Sequence, residues 1–165
     1  MSDGESQIRW PDEHRPEGAS WLAVNELQIA AEPESVWAWL TRPDLWPSFY
    51  KNARVVRHLD GAWPEVSMGS RFRWITFGVL VTSEVIEFEP PTRLAWSAKA
   101  MGSRGHHGWL FTPRDGGTFV HTEETQRGWA TKLSAPVMSR LQTRLHQRWL
   151  EGLARVATEG PPPPP

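Results

Sequence analysis

Residues 70–127 read SRFRWITFGVLVTSEVIEFEPPTRLAWSAKAMGSRGHHGWLFTPRDGGTFVHTEETQR. Runs rich in β-branched and aromatic residues are broken at Phe77-Gly78, Glu89-Pro90-Pro91, Met101-Gly102, Pro113 and Asp115-Gly116-Gly117. This predicts five strands: SRFRWIT, VLVTSEVIEF, RLAWSAKA, HHGWLFT and TFVHTEETQ. Links this short fold back on themselves, because a parallel connection needs a crossover of about a dozen residues or more. The stretch is an antiparallel meander.

Outward from it, WLAVNELQI (21–29) alternates well enough for a strand. AEPESVWAWL (31–40) follows, with Pro33 suited to a first helical turn and Val36, Trp37 and Leu40 at helical spacing. RPDLWPSFYKN (42–52) carries two prolines four residues apart, so only a second short helix or turn fits before ARVVRHL (53–59) resumes as strand. From about Ser134 to Ala157, Met138, Leu141, Leu145, Trp149, Leu153 and Val156 recur every three or four residues, with Arg140, Arg144 and Arg148 in a separate polar row. That pattern is a long amphipathic helix, with Ser134 as its cap and Pro136 in its first turn. The order predicts an α+β fold: a curved antiparallel sheet of about seven strands, two short helices after strand 1, and a long C-terminal helix over the concave face. One helix cannot cover such a face, which leaves a central cavity where a ligand could bind.

Eighteen Lys+Arg against 19 Asp+Glu supply no basic field for a phosphate backbone, so nucleic acid is not an expected partner. The chain has no cysteine, hence no disulfide, thiolate nucleophile or Cys-ligated zinc. No apolar run approaches the ~20 residues of a membrane span, and residues 1–18 are too polar for a signal peptide. A cytoplasmic monomer or homodimer is expected. Residues 1–18 read as a disordered segment, 19–158 as one domain, and 159–165 as a polyproline tail. Eleven Trp against one Tyr and six Phe is the unusual feature of the composition, and rings of this size either fill a core or line a cavity.

AEPESVWAWL, PDLWPSFY, Gly69-Ser70-Arg71-Phe72, FEPPTRLAW and HGWLFTPRDGGTFVHTEE, in this order before the closing helix, resemble the START-like (SRPBCC) helix-grip superfamily, in its polyketide cyclase/dehydrase-like branch. The resemblance covers roughly residues 20 to 158. It implies that Trp46, Tyr50, Trp109 and Thr122 are cavity positions. Ile86 stands where aromatic polyketide cyclases carry a cavity arginine, and no tyrosine stands near Ala53, where they carry one thought to donate a proton.

Strand residues alternate sides, so Trp109 brings His107 and Phe111 inward and leaves His106 and Leu110 outward. Thr122 likewise selects Val120 and Glu124, with His121 and Glu123 outward. On VLVTSEVIEF, Ile86, at the cavity position that the resemblance implies, selects Leu80, Thr82, Glu84 and Phe88 with it. Leu94 and Trp96 are in phase, and one bulge would reverse any assignment beyond it. Glu84, His107 and Glu124 are then the candidate acid/base residues. Alternatively, the two carboxylates pair with Arg73, Arg93 or an arginine of the long helix. His106, His121 and Glu123 could cluster on the outer face, but no metal or cofactor is expected. No GxSxG elbow suggests a hydrolase.

The leading expectation is a module that binds an apolar or aromatic small molecule, polyketide-like or lipid-like, in a Trp-lined cavity. Trp37, Trp46, Tyr50, Trp74, Ile86, Trp96, Trp109, Phe111, Thr122, Leu141 and Leu145 would line it. A cyclase or dehydratase using the cavity Glu and His is the alternative, and a co-chaperone-like partner-binding protein is the second.

Overall fold

A computed structural model describes residues 8–165 of the chain. Ten main elements follow one another: β1 (Trp21–Ile29), α1 (Pro33–Leu40), α2 (Trp46–Phe49), β2 (Arg54–Asp60), β3 (Arg71–Thr76), β4 (Val79–Glu89), β5 (Arg93–Ala100), β6 (Ser103–Arg114), β7 (Gly117–Arg127) and α3 (Trp129–Glu159). The seven strands make one antiparallel sheet in the order β1-β7-β6-β5-β4-β3-β2. Each short link of the meander becomes a hairpin, and β1 adds beyond β7 at the far edge. The architecture is the helix-grip arrangement that the strand and helix order predicts.

Local chemistry sets the helix boundaries. Pro33 opens α1, which buries Val36, Trp37 and Leu40 on one side. α3 begins at Trp129 rather than near Ser134. Gly128 occupies its N-cap, the Ser134 hydroxyl donates to Ala130 O, and Pro136 lies inside the helix. Gly152 lets α3 meet α2, because a Cβ there would stand 2.2 Å from Phe49 O.

The buried rings pack against one another. Trp46 has Trp74, Trp96 and Trp149 around it at ring-centroid distances of 5.1, 5.3 and 4.9 Å. Tyr50 stacks on Trp149 at 4.4 Å, Trp109 meets Trp149 at 5.2 Å, and Trp37 meets Phe111 at 5.8 Å. Trp37, Trp46, Tyr50, Trp109 and Phe111, expected along a cavity wall, are therefore parts of a solid aromatic core.

Residues 8–18 were expected outside the fold, yet they cover the outer face of the sheet. Ile8 is buried where Gly108 leaves room, since a Cβ at Gly108 would lie 2.6 Å from it. Trp10 and His14 sit over His106 at ring-centroid distances of 5.0 and 5.9 Å, and Thr125 Oγ1 donates to His14 O. The tail also folds back: Gly160 O accepts from Trp39 Nε1 and Pro163 O from Arg42 Nη1. The expectation of disorder at residues 1–7 lies outside the described residues. No helix among the described residues is long and apolar enough to cross a membrane.

Candidate functional site

The aromatic core fills the α1/α2 end of the space between sheet and helix, and a cavity of about 170 Å³ remains at the other end, under the first half of α3. Trp74, Val81, Trp96, Ala98 and Met138 form its apolar walls, while His107, Glu124, Gln142 and His146 supply the polar wall. Met101 and Val79, which also line it, are exposed.

The polar wall joins two adjacent strands to the helix. His107 on β6 and Glu124 on β7 are cross-strand partners, and His107 Nδ1 lies 3.0 Å from Glu124 Oε2. His146 on α3 places Nε2 3.3 Å from the same oxygen, its ring stacked on that of His107 at 4.7 Å. Gln126 donates to the other carboxylate oxygen. Thr122 Oγ1 gives its single proton to Gly108 O at 2.8 Å, so the 2.8 Å contact between it and His107 Nε2 has the imidazole as donor. Nδ1 of His107 then faces the carboxylate oxygen. Burial resists ionisation of Glu124, but the charge and hydrogen bond of His107, with His146 and Gln126, outweigh it and hold the carboxyl at about 2. Burial is also the main reason that His146 is pushed down to about 3, against the pull of Glu124.

Of the three candidate acid/base residues, His107 and Glu124 meet at the cavity and Glu84 does not. β4 carries a bulge between Val85 and Glu87. Phe88 lies inward beside Trp37 as expected, but upstream of the bulge the parity reverses. Val81, Ser83 and Val85 point in, while Leu80 and Glu84 are exposed and Ile86 sits on the outer face near Trp10. Glu84 is 4.0 Å from Arg71. Glu124 pairs with imidazoles, not with an arginine.

Among the expected lining residues, Trp74 and Trp96 reach the cavity. Thr122 acts behind His107. Leu145 packs at the core edge, and Leu141 is 36% exposed. Gln142 and His146 take the inward positions instead, because they meet polar groups there: Gln142 Oε1 accepts from Trp21 Nε1 and His146 meets Glu124. Apolar periodicity misses both. The outer cluster of His106, His121 and Glu123 does not form, since the ladder sets His106 opposite Thr125 and His121 opposite Leu110, four residues further along β6. His121 is held between Glu26 and Glu123, each at 2.7 Å.

The family described as "Polyketide cyclase / dehydrase and lipid transport" matches residues 21–158 of the sequence. The chain belongs to this family. Solved structures share the fold. Hypothetical protein jhp0584 from Helicobacter pylori is 28% identical, with 95% of this chain and 99% of that one covered at a TM-score of 0.86. Norcoclaurine synthase from Thalictrum flavum (12% identity, TM-score 0.65, 84% and 93% covered) has the same fold. So does the di-domain ARO/CYC StfQ from the steffimycin biosynthetic pathway (14%, 0.69, 84% and 50%). No curated protein matches the chain. In this member of the polyketide cyclase/dehydrase and lipid transport family, His107, Glu124 and His146 form a buried cluster that lines the cavity.

Proposed function

We propose that the chain binds a small, mainly apolar molecule in the cavity beneath α3, with one polar group of that molecule at the His107–Glu124–His146 wall. The observation that carries this reading is the combination of indole and aliphatic walls with the buried cluster of His107, Glu124 and His146. The volume sets the size of the ligand. At about 170 Å³ the cavity is close to the ~150 Å³ that accommodates benzene in an engineered apolar cavity. One aromatic ring or a short acyl chain fits, whereas a multi-ring polyketide would have to protrude through the open end. A hydroxyl or carbonyl suits the polar wall better than a further charge, which would be buried without a counterion.

Burying about 150–250 Å² of ring surface at about 25 cal/mol per Å² contributes roughly 4–6 kcal/mol. Association costs consume much of that, so affinities in the micromolar to millimolar range are expected. Exposed Met101 and Val79 favour entry of an apolar molecule. The test is titration of single-ring phenols, ketones and short-chain lipids against intrinsic Trp fluorescence, with Ala98→Phe as the blocked cavity. Saturable changes lost in the blocked variant are expected. A spectrum unresponsive across the panel, or a response that A98F leaves intact, would refute the reading.

A further inference from the structure

His107, Glu124 and His146 reach one point from β6, β7 and α3. The two imidazole nitrogens lie 3.0 and 3.3 Å from the same carboxylate oxygen, and donor atoms of all three residues fall within 4.8 Å of one another. Ligands bound at about 2.0–2.2 Å to one zinc-type ion stand roughly 3–3.5 Å apart, which the two nitrogen–oxygen separations match. We propose that these three residues form a binding site for a single divalent transition-metal ion of the zinc type, with its open coordination position directed into the cavity.

The surroundings already have the form of an outer coordination shell. Thr122 accepts the Nε2 proton of His107, which leaves Nδ1 as the inner donor, and Gln126 holds the far oxygen of Glu124. Nδ1 of His107 and a carboxylate oxygen of Glu124 face each other at 3.0 Å, and a cation between them is a partner for both. The near-parallel rings, 14° apart, direct both imidazole edges at that oxygen. Two nitrogens and one carboxylate suit zinc, cobalt, nickel or iron, whereas calcium and magnesium take oxygen ligands in larger number. His121 makes no such site: Glu26 and Glu123 bind its opposite ring nitrogens. Among the described residues, only His107, Glu124 and His146 converge in this way.

The experiment uses the full chain stripped with a chelator, without organic ligand, so its outcome does not depend on the cavity titration. Zn²⁺ is added by calorimetry and Co²⁺ by visible spectroscopy. The expected result is saturation at one equivalent, visible bands of a low-coordinate nitrogen–oxygen site, and a raised Tm. His146→Ala and Glu124→Gln should abolish the bands, Thr122→Val should weaken binding by at least about tenfold, and His121→Ala should retain it. Should the ligand variants fail to fold, Co²⁺ broadening of histidine ring resonances in the unaltered chain decides: selective loss of His107 and His146 supports the site. Absence of one-equivalent binding, broadening confined to other histidines, or binding removed by H121A and kept by H146A would overturn it.

Discussion

His107 Nδ1 and Glu124 Oε2 lie 3.0 Å apart as cross-strand partners on the wall of a cavity that Trp74, Val81, Trp96 and Ala98 line with apolar surface. The pair is oriented by Thr122, whose hydroxyl receives His107 Nε2–H and donates to Gly108 O. Thr122→Val conserves shape but removes both hydrogen bonds, and leaves a buried imidazole N–H without an acceptor. A loss of about 1–3 kcal/mol is expected, measured from urea midpoints at constant m. An unmoved midpoint would show that Thr122 does not hold the ring.

The aromatic core and the cavity wall should respond differently to truncation. Trp149 is fully buried and touches Trp46, Tyr50 and Trp109. Trp149→Ala should cost about 3–5 kcal/mol. Met138 already borders open space, so Met138→Ala should cost much less while altering ligand affinity. Equal losses in denaturant unfolding would contradict this division.

Glu84 is half-exposed on the outer face, 4.0 Å from Arg71. Glu84→Ala should therefore change stability by no more than about 0.5 kcal/mol, and the Trp-fluorescence response to ligands should match that of the unaltered chain. A weakened ligand response would place Glu84 at the site after all.

The contrast between Glu84 and His107 shows what the sequence could disclose. β6 pairs with β5 and β7 without a register shift, so alternation from Trp109 places His107 and Phe111 correctly. β4 carries its bulge inside VLVTSEVIEF, and no residue there announces the extra position, so Glu84 and Ile86 end on the wrong face. On α3 the difficulty is chemical: His146 and Gln142 are buried because their partners, Glu124 and Trp21, are distant in sequence. An apolar stripe through Leu141 and Leu145 cannot reveal polar residues facing inward. Residues 8–18 lack periodicity, and their place on the sheet depends on Gly108 leaving room for Ile8.

That segment gives a pH dependence. Burial lowers the pKa of His14, Glu13 opposes this, and Arg104, Arg127 and Lys99 reinforce it. His106 beneath it is held at about 4, chiefly by burial and then by His14. Both are neutral when folded, so the unfolded chain binds more protons below its ordinary pKa of about 6.5. Their contribution to stability is thus full above that pH and is lost as the pH drops toward 4. Hydrogen exchange should show residues 8–18 losing protection first, with a weaker pH slope in His14→Gln. An unchanged slope in that variant would exclude His14 as a cause.

The cavity is tested most directly by native mass spectrometry of freshly isolated full-length chain beside Ala98→Phe. A small-molecule adduct of single-ring or short-acyl mass, carried by the natural sequence and absent from the filled variant, is the expected result. An adduct retained at equal occupancy by A98F would contradict binding beneath α3.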